Sequence, residues 1–433
     1  MFFSCFELRL GIVYDQLIAP IFPGGGGVHS LEVIKRLAND FEIVYFPSSR
    51  LFLKWGDRKD EILHKADYIG KIVEIPEIFY EMLDKYSESA YNTFFFEKFS
   101  KNMSKIYAKY TKDIEFLYEP DHTTADIFFI SKFSGKKFGI TLHTPLFYNN
   151  NLEYLKELIR IRFNRCLIYN RRGFITSYLY NALYLKRVYT KLLDYSPPSF
   201  IASVSEGPLF YSALYKYSIP LRILSPGNAF DSDLLKYRNV LDKADYMIYF
   251  GVLAEHKGVL EIPDILYQIR KKVNISLKLL GKFSSRCIEK LFWLKAKNLG
   301  VDKNIEFLGF IDKHKEKSKF IDIVSKAKLL LYPSHIDSFS LTILESLALG
   351  LPVVSYDIVG IHSIYKNIDA VRLVNEFHKD ELAREAVNIL QLDRNTYSDL
   401  LNNKKIIDFL NFYSSWDNVA LEVKKYILEF GKK

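Results

Sequence analysis

Short apolar runs alternate with amphipathic stretches along both halves of the chain. In the first half, Leu8–Tyr14 predicts a buried strand, and a glycine-rich loop separates it from a helix predicted from about Val28 to Ala38. Further apolar runs bounded by polar or glycine residues predict strands at Asp126–Ser131, Phe138–His143 and Phe200–Ser205. A strand, a glycine-rich turn and a helix in this order are typical of the start of a doubly wound α/β unit.

The second half repeats this order of elements. Its predicted strands are Met247–Val252, Leu277–Leu280, Ile305–Leu308, Lys328–Tyr332 and Pro352–Tyr356. A helix is predicted at Leu341–Leu349, and strands that alternate with helices imply parallel sheets covered on both faces. The pattern is interrupted near Leu221–Asp231 by two prolines and a glycine, so we place the domain boundary there. The predicted fold class is α/β, with two Rossmann-like doubly wound domains that face each other across a cleft.

Composition agrees with two folded domains and adds one local feature. The chain has 433 residues, of which 49% are apolar and 26% are charged, and its net charge is +9. Residues 151–192 contain nine Lys or Arg and two acids, a net +7, together with eight aromatic residues. Such a segment is either a set of helices with a solvated face or a surface that lies on anionic lipid, and we favour the lipid surface. Nucleic acid also attracts basic patches, but no binding motif supports that reading.

The cysteines and the chain start bear on location. Three cysteines without a CxxC spacing favour a reducing compartment and no zinc site. No uncharged apolar run reaches the roughly 18 residues of a spanning helix, and Met1–Phe6 lacks the basic leader of a secretory signal. We therefore expect a cytoplasmic protein, with peripheral contact to the inner face of the cell membrane.

The segment from Tyr332 to Gly360 carries the most specific chemistry. It places Asp337 in a loop after a buried strand and Glu345 eight residues later within a helix. A carboxylate among apolar neighbours needs a partner, and the cis-diol of a ribose can donate two hydrogen bonds to Glu345. The small polar residues before Leu341 form a helix start whose free N–H groups can bind an anion.

This segment resembles the donor-binding E-x7-E motif of the family-4 retaining glycosyltransferases, which have the GT-B fold. The family pattern is roughly E-G-F-G-L-x-x-L-E-A, and residues 337–346 are D-S-F-S-L-T-I-L-E-S. Six other segments resemble family signatures in the same order along the whole chain: Gly24–Gly27, Leu142–Thr144, Ser203–Glu206, Ser225–Asp231, Phe250–Gly258 and Ser414–Asp417. In the family, His143 corresponds to an active-site histidine. Val252 stands where the family usually has an arginine that faces the donor diphosphate.

The resemblance implies a domain arrangement. Residues 1–221 correspond to an acceptor domain and residues 222–412 to a nucleotide-sugar donor domain. Residues 413–433 correspond to a C-terminal helix that crosses back to the first domain.

The resemblance also implies a set of site residues. Those with catalytic roles are His143, Asp337 and Glu345. Those that bind the donor are Gly251, Lys257, Gly258, Gly281, Ser340, Leu341 and Glu345. The acceptor or phosphate loop is Gly24, Gly25, Gly26 and Gly27.

The implied reaction is transfer of a hexose-type sugar from a nucleotide-diphosphate sugar to a glycan or lipid-linked acceptor. Transfer keeps the anomeric configuration and needs neither a metal nor another cofactor. Asp231 and Asp233 form a D-x-D pair, but their place in the interdomain linker favours helix capping over metal binding.

Each site residue also has a structural interpretation. Asp337 and Glu345 can be ordinary acids, the second with a lysine partner, and His143 can be a core histidine. Lys257 can be a surface lysine, and Gly24–Gly27 can be only a flexible turn. The alternative function is a non-catalytic glycosyltransferase-like scaffold subunit. A sugar phosphorylase is a further alternative, although no pyridoxal-phosphate lysine is identifiable.

Overall fold

The computed structural model describes residues 8–18, 24–55, 58–86, 96–152, 154–155, 158, 179–313 and 315–431. The chain divides into two compact units. The first comprises residues 1–149, 182–228 and 416–433, and the second comprises residues 150–181 and 229–415. Most of the basic segment predicted at 151–192 lies outside the described residues.

The first unit contains a six-stranded sheet with the strand order β2-β1-β3-β4-β5-β6. Its strands are β1 Arg9–Tyr14, β2 Glu42–Pro47, β3 Phe116–Glu119, β4 Lys137–Leu142, β5 Phe200–Ser203 and β6 Leu221–Ile223. All neighbouring strands are parallel. Its α-helices are Gly25–Leu37, Ser49–Trp55, Lys59–Ile69, Ile78–Tyr86, Phe96–Ala108, Asp126–Ser134, Lys186–Tyr195, Glu206–Ser212 and Trp416–Gly431.

The second unit contains a six-stranded parallel sheet with the order β12-β11-β10-β7-β8-β9. Its strands are β7 Tyr246–Phe250, β8 Ser276–Leu280, β9 Ile305–Gly309, β10 Leu329–Tyr332, β11 Val353–Tyr356 and β12 Val371–Val374. Its α-helices are Ile262–Arg270, Arg286–Asn298, Lys317–Lys326, Leu341–Ala348, Val359–Tyr365, Lys379–Leu390, Arg394–Asn402 and Lys404–Tyr413. The fold class predicted from the sequence is confirmed for both units.

Strand order determines where ligands bind in such a sheet. The second sheet runs third, second, first, fourth, fifth, sixth from its β9 edge, which is the Rossmann order. Its order reverses between β7 and β10, and ligands bind outside the carboxyl ends of the strands at that point. The corresponding point in the first sheet lies between β1 and β3.

One predicted strand is wrong. Asp126–Ser131 belongs to the helix Asp126–Ser134, and β3 lies earlier, at Phe116–Glu119. A short apolar run has the same pattern in a buried helix as in a buried strand, so periodicity alone cannot separate them. Here, the carboxylate of Asp126 accepts hydrogen bonds from Ser49 N and from the hydroxyls of Ser49 and Thr124, which anchors the start of the helix.

Two further findings concern location. Among the described residues, no helix is both long and apolar enough to cross a bilayer. Cys287, in the helix Arg286–Asn298, is disulfide-bonded. The sparse cysteine set therefore does not by itself indicate a reducing compartment.

Candidate active site

Glycines bring the loops after β7 and β10 into contact. Gly258 has φ +69°, and a Cβ atom at this position would lie 1.8 Å from the carbonyl oxygen of Pro333. Gly281, after β8, has φ +145°, and its Cβ would lie 1.9 Å from the carbonyl oxygen of Gly251. Gly251 itself has φ +144°. These predicted donor-site glycines therefore allow backbones to approach closely at the end of the second sheet.

Asp337 organises the loop that follows β10. Its Oδ1 accepts hydrogen bonds from the backbone N–H of Phe339 at 3.3 Å and of Ser340 at 2.8 Å. Its Oδ2 accepts from the hydroxyl of Tyr332 at 2.6 Å and from Nζ of Lys257 at 2.9 Å. Both carboxylate oxygens thus have protein donors, and the predicted role of Asp337 toward the donor sugar stays a prediction.

The charge of Asp337 is matched by Lys257. Burial alone would raise the pKa of Asp337. The positive charge of Lys257 and the hydrogen bonds that the Asp337 carboxylate accepts outweigh burial and lower this pKa below its usual value. Lys257 Nζ also donates to the carbonyl of Ile336 at 2.8 Å. Two of its three protons are therefore used within the loop, and the third has no partner among the described hydrogen bonds.

The start of the helix Leu341–Ala348 has an unusual backbone conformation. Ser340 has φ +63°, a left-handed conformation that favours glycine. Its hydroxyl accepts from Ile343 N at 3.3 Å, and its carbonyl accepts from the Tyr365 hydroxyl at 2.9 Å. Ser340 occupies the second glycine position of the resembling motif, and this left-handed backbone explains why that motif has glycine there. Among the described contacts, Leu341 N is left as a donor for an anion.

Glu345 lies within this helix, and its side chain is 18% exposed. It forms an ion pair with Lys313, which follows β9. Glu345 is thus a helix acid with a lysine partner, as its structural interpretation predicts. A ribose would have to compete with Lys313 for this carboxylate.

Sequence reasoning missed a histidine beside the same loop. The Nε2 of His335 lies 3.0 Å from Glu261 Oε1, and its Nδ1 lies 2.8 Å from Glu376 Oε1. Its ring stacks on Phe377 with a centroid separation of 4.5 Å. Burial lowers the pKa of His335, but the two glutamates outweigh that effect and raise it to about 9. A charged imidazole therefore fixes the loop two residues before Asp337. The one feature of the sequence that could have indicated His335 is its place within the segment Tyr332–Gly360.

The predicted glycine loop of the first unit faces an acid. Gly25, Gly26 and Gly27 form the first turn of the helix Gly25–Leu37, and Gly24 precedes it. A Cβ atom on Gly26 would lie 2.3 Å from Oδ2 of Asp121, at the carboxyl end of β3. A buried carboxylate at this helix start disfavours a phosphate there. The phosphate interpretation of this loop is therefore weaker than the acceptor interpretation.

Asp15 is a second buried acid at this point of the first sheet. It follows β1, and its Oδ1 accepts from the hydroxyl of Thr123 at 3.3 Å. Burial raises the pKa of Asp15 to about 6, although Arg50 opposes the rise. Burial also raises the pKa of Asp121 to about 6. Both groups are largely ionised at neutral pH.

His143 lies at the carboxyl end of β4 and packs against His29. Their ring centroids are 4.5 Å apart in an edge-to-face arrangement. Burial lowers the pKa of His143 to about 3 and lowers that of His29 well below its usual value, so both rings are neutral at physiological pH. Neither Nε2 atom has a hydrogen-bond partner among the described residues. A neutral His143 can accept or donate a hydrogen bond but cannot supply positive charge.

The structure thus separates the predicted site residues into two groups. Those of the second unit gather at the loops after β7, β8 and β10 and at the helix that follows: Gly251, Lys257, Gly258, Gly281, Asp337, Ser340, Leu341 and Glu345. Those of the first unit are Gly24–Gly27 and His143.

Asp231 caps the 3₁₀ turn Ser232–Tyr237 by accepting from Asp233 N at 3.1 Å. No group of three or more His, Cys, Asp or Glu side chains in the described part of the chain could hold a metal ion.

Comparison with solved structures identifies the class of fold. The Anabaena protein HepE, solved in complex with UDP and glucose, matches with a TM-score of 0.65 at 13% identity over 98% of this chain and 100% of that chain. A glycosyltransferase from Rickettsia africae matches with a TM-score of 0.65 at 14% identity over 99% of this chain and 100% of that one. Sucrose-phosphate synthase from Thermosynechococcus elongatus matches with a TM-score of 0.65 at 13% identity over 98% and 99%. The two sheets are those of the GT-B glycosyltransferase fold.

One family model matches part of the second unit. Residues 233–406 are similar to the family Glycosyl transferases group 1. An uncharacterized glycosyltransferase of Methanocaldococcus jannaschii is 28% identical over 184 residues, which are 42% of this chain and 44% of that protein. The chain thus matches less than half the length of this curated relative.

Proposed function

We propose that the chain is a nucleotide-sugar-dependent glycosyltransferase whose second unit binds the donor. The main support is that Asp337 accepts hydrogen bonds from both Lys257 and the backbone N–H of Ser340. These contacts connect the loops after β7 and β10, within the region that matches the group 1 family. Glu345 follows on the same helix and is proposed to accept hydrogen bonds from the ribose. HepE, solved in complex with UDP-glucose, gives an example of such a donor on this fold.

The chemistry is proposed to be retaining and independent of metal, with a hexose-type donor. A nucleoside diphosphate leaving group carries roughly two negative charges, and cations with helix N-termini can stabilise these in place of a metal. Lys257 and the amide of Leu341 are the proposed groups. No residue is assigned as a covalent nucleophile. Front-face departure of the leaving group is proposed by analogy with the family.

The acceptor is proposed to bind the first unit through hydroxyl groups. Asp15 and Asp121 are anionic at neutral pH, and the Nε2 atoms of His29 and His143 are buried without a hydrogen-bond partner among the described residues. These groups suit a neutral polyol better than a phosphate. The proposal is therefore that Gly24–Gly27 line the path of a glycan or the sugar part of a lipid-linked acceptor.

A membrane-facing surface is also proposed for the first unit. The helices Lys186–Tyr195 and Glu206–Ser212 and the turn after them carry exposed aromatic and basic side chains, among them Arg187, Lys191, Tyr195, Phe210, Tyr215 and Lys216. Aromatic rings at headgroup depth and basic side chains near anionic lipid both favour peripheral binding. Sedimentation with vesicles of anionic or neutral lipid tests this point. Arg187→Glu with Lys191→Glu is expected to reduce sedimentation with anionic vesicles, and unchanged sedimentation would count against it.

The proposed activity is tested by a donor screen in EDTA. UDP-, GDP- and ADP-sugars are incubated with the purified full chain, with and without anionic vesicles, and nucleotide release is measured. Release from one donor is expected to disappear in Glu345→Ala. Glu385→Ala is the control, because Glu385 lies on another helix of the second unit and pairs locally with Asn388 at 3.2 Å.

The screen has a clear opposing outcome. If folded protein, verified by calorimetry, neither binds nor cleaves any of these donors, the scaffold interpretation replaces the enzyme. Release that survives Glu345→Ala unchanged would remove Glu345 from the donor site.

A further inference from the structure

The donor site lacks a cation where its motif leads one to expect one. Val252, at the position of the usual arginine, is 57% exposed and brings no charge. Lys257 is partly neutralised because Asp337 lies 2.9 Å from its Nζ. A diphosphate carries roughly two negative charges at neutral pH, so a second cation is needed at this end of the sheet.

Lys313 is a lysine in contact with the site residues themselves. It follows β9, and its ammonium pairs with Glu345. Its Nζ lies 4.7 Å from the ring centroid of Phe320 and 5.1 Å from that of Phe250, the last residue of β7. Since Val252 is two residues after Phe250, this ammonium lies near the strand end that carries the missing arginine. The side chain is 41% exposed, so a ligand can reach it.

We propose that Lys313 is a donor-binding residue that supplies the second positive charge for the donor diphosphate. Without ligand, it neutralises Glu345. When the donor binds, the ribose hydroxyls donate hydrogen bonds to Glu345, and the Lys313 ammonium pairs with a phosphate oxygen instead. This inference rests on the proposed function, and it assigns to Lys313 the charge that Val252 cannot provide.

Charge balance supports this exchange. The ion pairs of the site match Lys257 with Asp337 and Lys313 with Glu345, a net charge of zero. Loss of Lys313 would leave Glu345, which is 18% exposed, without its cation and would give the site a net negative charge that repels a diphosphate. Lysine suits such an exchange because its ammonium is a compact charge on a flexible stem, whereas arginine favours one fixed bidentate geometry. The aromatic rings of Phe250 and Phe320 hold the stem near both partners.

Calorimetric titration of the full chain in EDTA tests the proposal, with UDP, GDP and ADP and with the matching uncharged nucleosides. Lys313→Gln is expected to weaken binding of the preferred diphosphate by about 10- to 100-fold, the range of a charge-assisted hydrogen bond. Binding of the nucleoside is expected to stay equal or to tighten, because Glu345 is released to the ribose. Lys319→Gln is the matched control. Lys319 is an exposed lysine on the nearby helix Lys317–Lys326 and pairs with Glu316.

Rescue distinguishes a charge effect from damage to the fold. Val252→Arg in the Lys313→Gln protein is expected to restore at least part of the diphosphate affinity, because it returns a cation to the motif position. Lys313→Arg is expected to retain most of the affinity. Thermal unfolding of each variant verifies that the protein is folded.

Two results would overturn the inference. One is an unchanged diphosphate affinity in Lys313→Gln, and the other is an equal loss for diphosphate and nucleoside without rescue by Val252→Arg. If the unaltered chain binds none of the three diphosphates, the proposed function fails and this inference fails with it. If the unaltered chain binds one of them and Lys313→Gln does not change that affinity, only this inference fails.

Discussion

The two units build the same kind of sheet around different charges. At the strand ends of the second unit, Lys257 and Lys313 accompany the acids and leave no net charge among these pairs. At the equivalent strand ends of the first unit, Asp15 and Asp121 are buried acids, and the histidine His143 is neutral. An anionic donor and a hydroxyl-bearing acceptor need these two environments. The shared architecture therefore places two different chemistries at equivalent positions.

The largest expected effect comes from removing the cation of the second unit. Lys257→Met is expected to reduce nucleotide release by about 100- to 1000-fold, because the developing diphosphate charge loses a fixed donor. It also leaves Asp337 buried without its charge partner, which costs about 3–5 kcal/mol of the free energy of unfolding. Initial rates and chemical denaturation measure the two effects. Release within twofold of that of the unaltered chain would contradict the assigned role.

A second prediction tests the contact between the loops after β7 and β10. Gly258→Ala is expected to lower the free energy of unfolding by at least about 3 kcal/mol, since a left-handed backbone and a steric overlap add together. Gly135→Ala in the first unit is the matched control. Its φ is +73°, but a Cβ atom there meets nothing within 4 Å. Denaturation of both variants separates the cost of the left-handed backbone from that of the steric overlap. An equal loss in the free energy of unfolding would show that the close approach to Pro333 adds no cost.

A third prediction concerns pH and the histidine of the second unit. The pKa of His335 is raised from 6.5 to about 9 in the folded protein, so its contribution to stability is complete below pH 6.5 and is lost as pH rises through 9. His335→Gln is expected to lower the free energy of unfolding by about 2 kcal/mol at pH 6.5, less than the full shift because the site relaxes. Thermal unfolding from pH 6 to 10 measures this. The difference from the unaltered chain should shrink above pH 9, and a constant difference would indicate a packing effect instead.

The smallest expected effect belongs to the first unit, and here the difference between the variant and the unaltered chain grows, rather than shrinks, as pH rises. The pKa of Asp121 is raised from 3.8 to about 6, so the folded state holds its proton more strongly and stability falls as pH rises from 4 to 6. Asp121→Asn keeps an acceptor for Tyr14, which donates to this group at 3.1 Å. We expect it to stabilise the protein at pH 7.5 by about 1–2 kcal/mol and to have little effect at pH 4. Destabilisation at pH 7.5 would show that the ionised acid has a favourable partner.

The sequence predicts the fold well because most strands are apolar runs bounded by polar or glycine residues. It fails at Asp126–Ser131, where a buried helix and a buried strand have the same pattern. The strands β2, β3, β6 and β12 were also not predicted. Strand order follows from contacts between residues far apart in sequence, and no local pattern contains it.

The site was predicted unevenly for a similar reason. Lys257, Asp337 and Glu345 belong to spaced motifs, so their spacing could be recognised along the chain. Lys313 and Asp121 reach their sites only through the packing of separate strands, and no motif contains them. The ion pair of Glu345 likewise depends on the loop after β9. Its donor role remains a prediction that the ligand must test.

The most direct test of the central claim is hydrogen exchange of the full chain with and without a saturating nucleoside diphosphate in EDTA. The claim is that the diphosphate binds the second unit and avoids the acidic strand ends of the first. We expect protection in peptides that contain Gly251–Gly258 and His335–Glu345, while peptides with Gly24–Gly27 and Asp121 exchange as before. Protection of the Gly24–Gly27 helix start, with none at Asp337 or Glu345, would contradict the account.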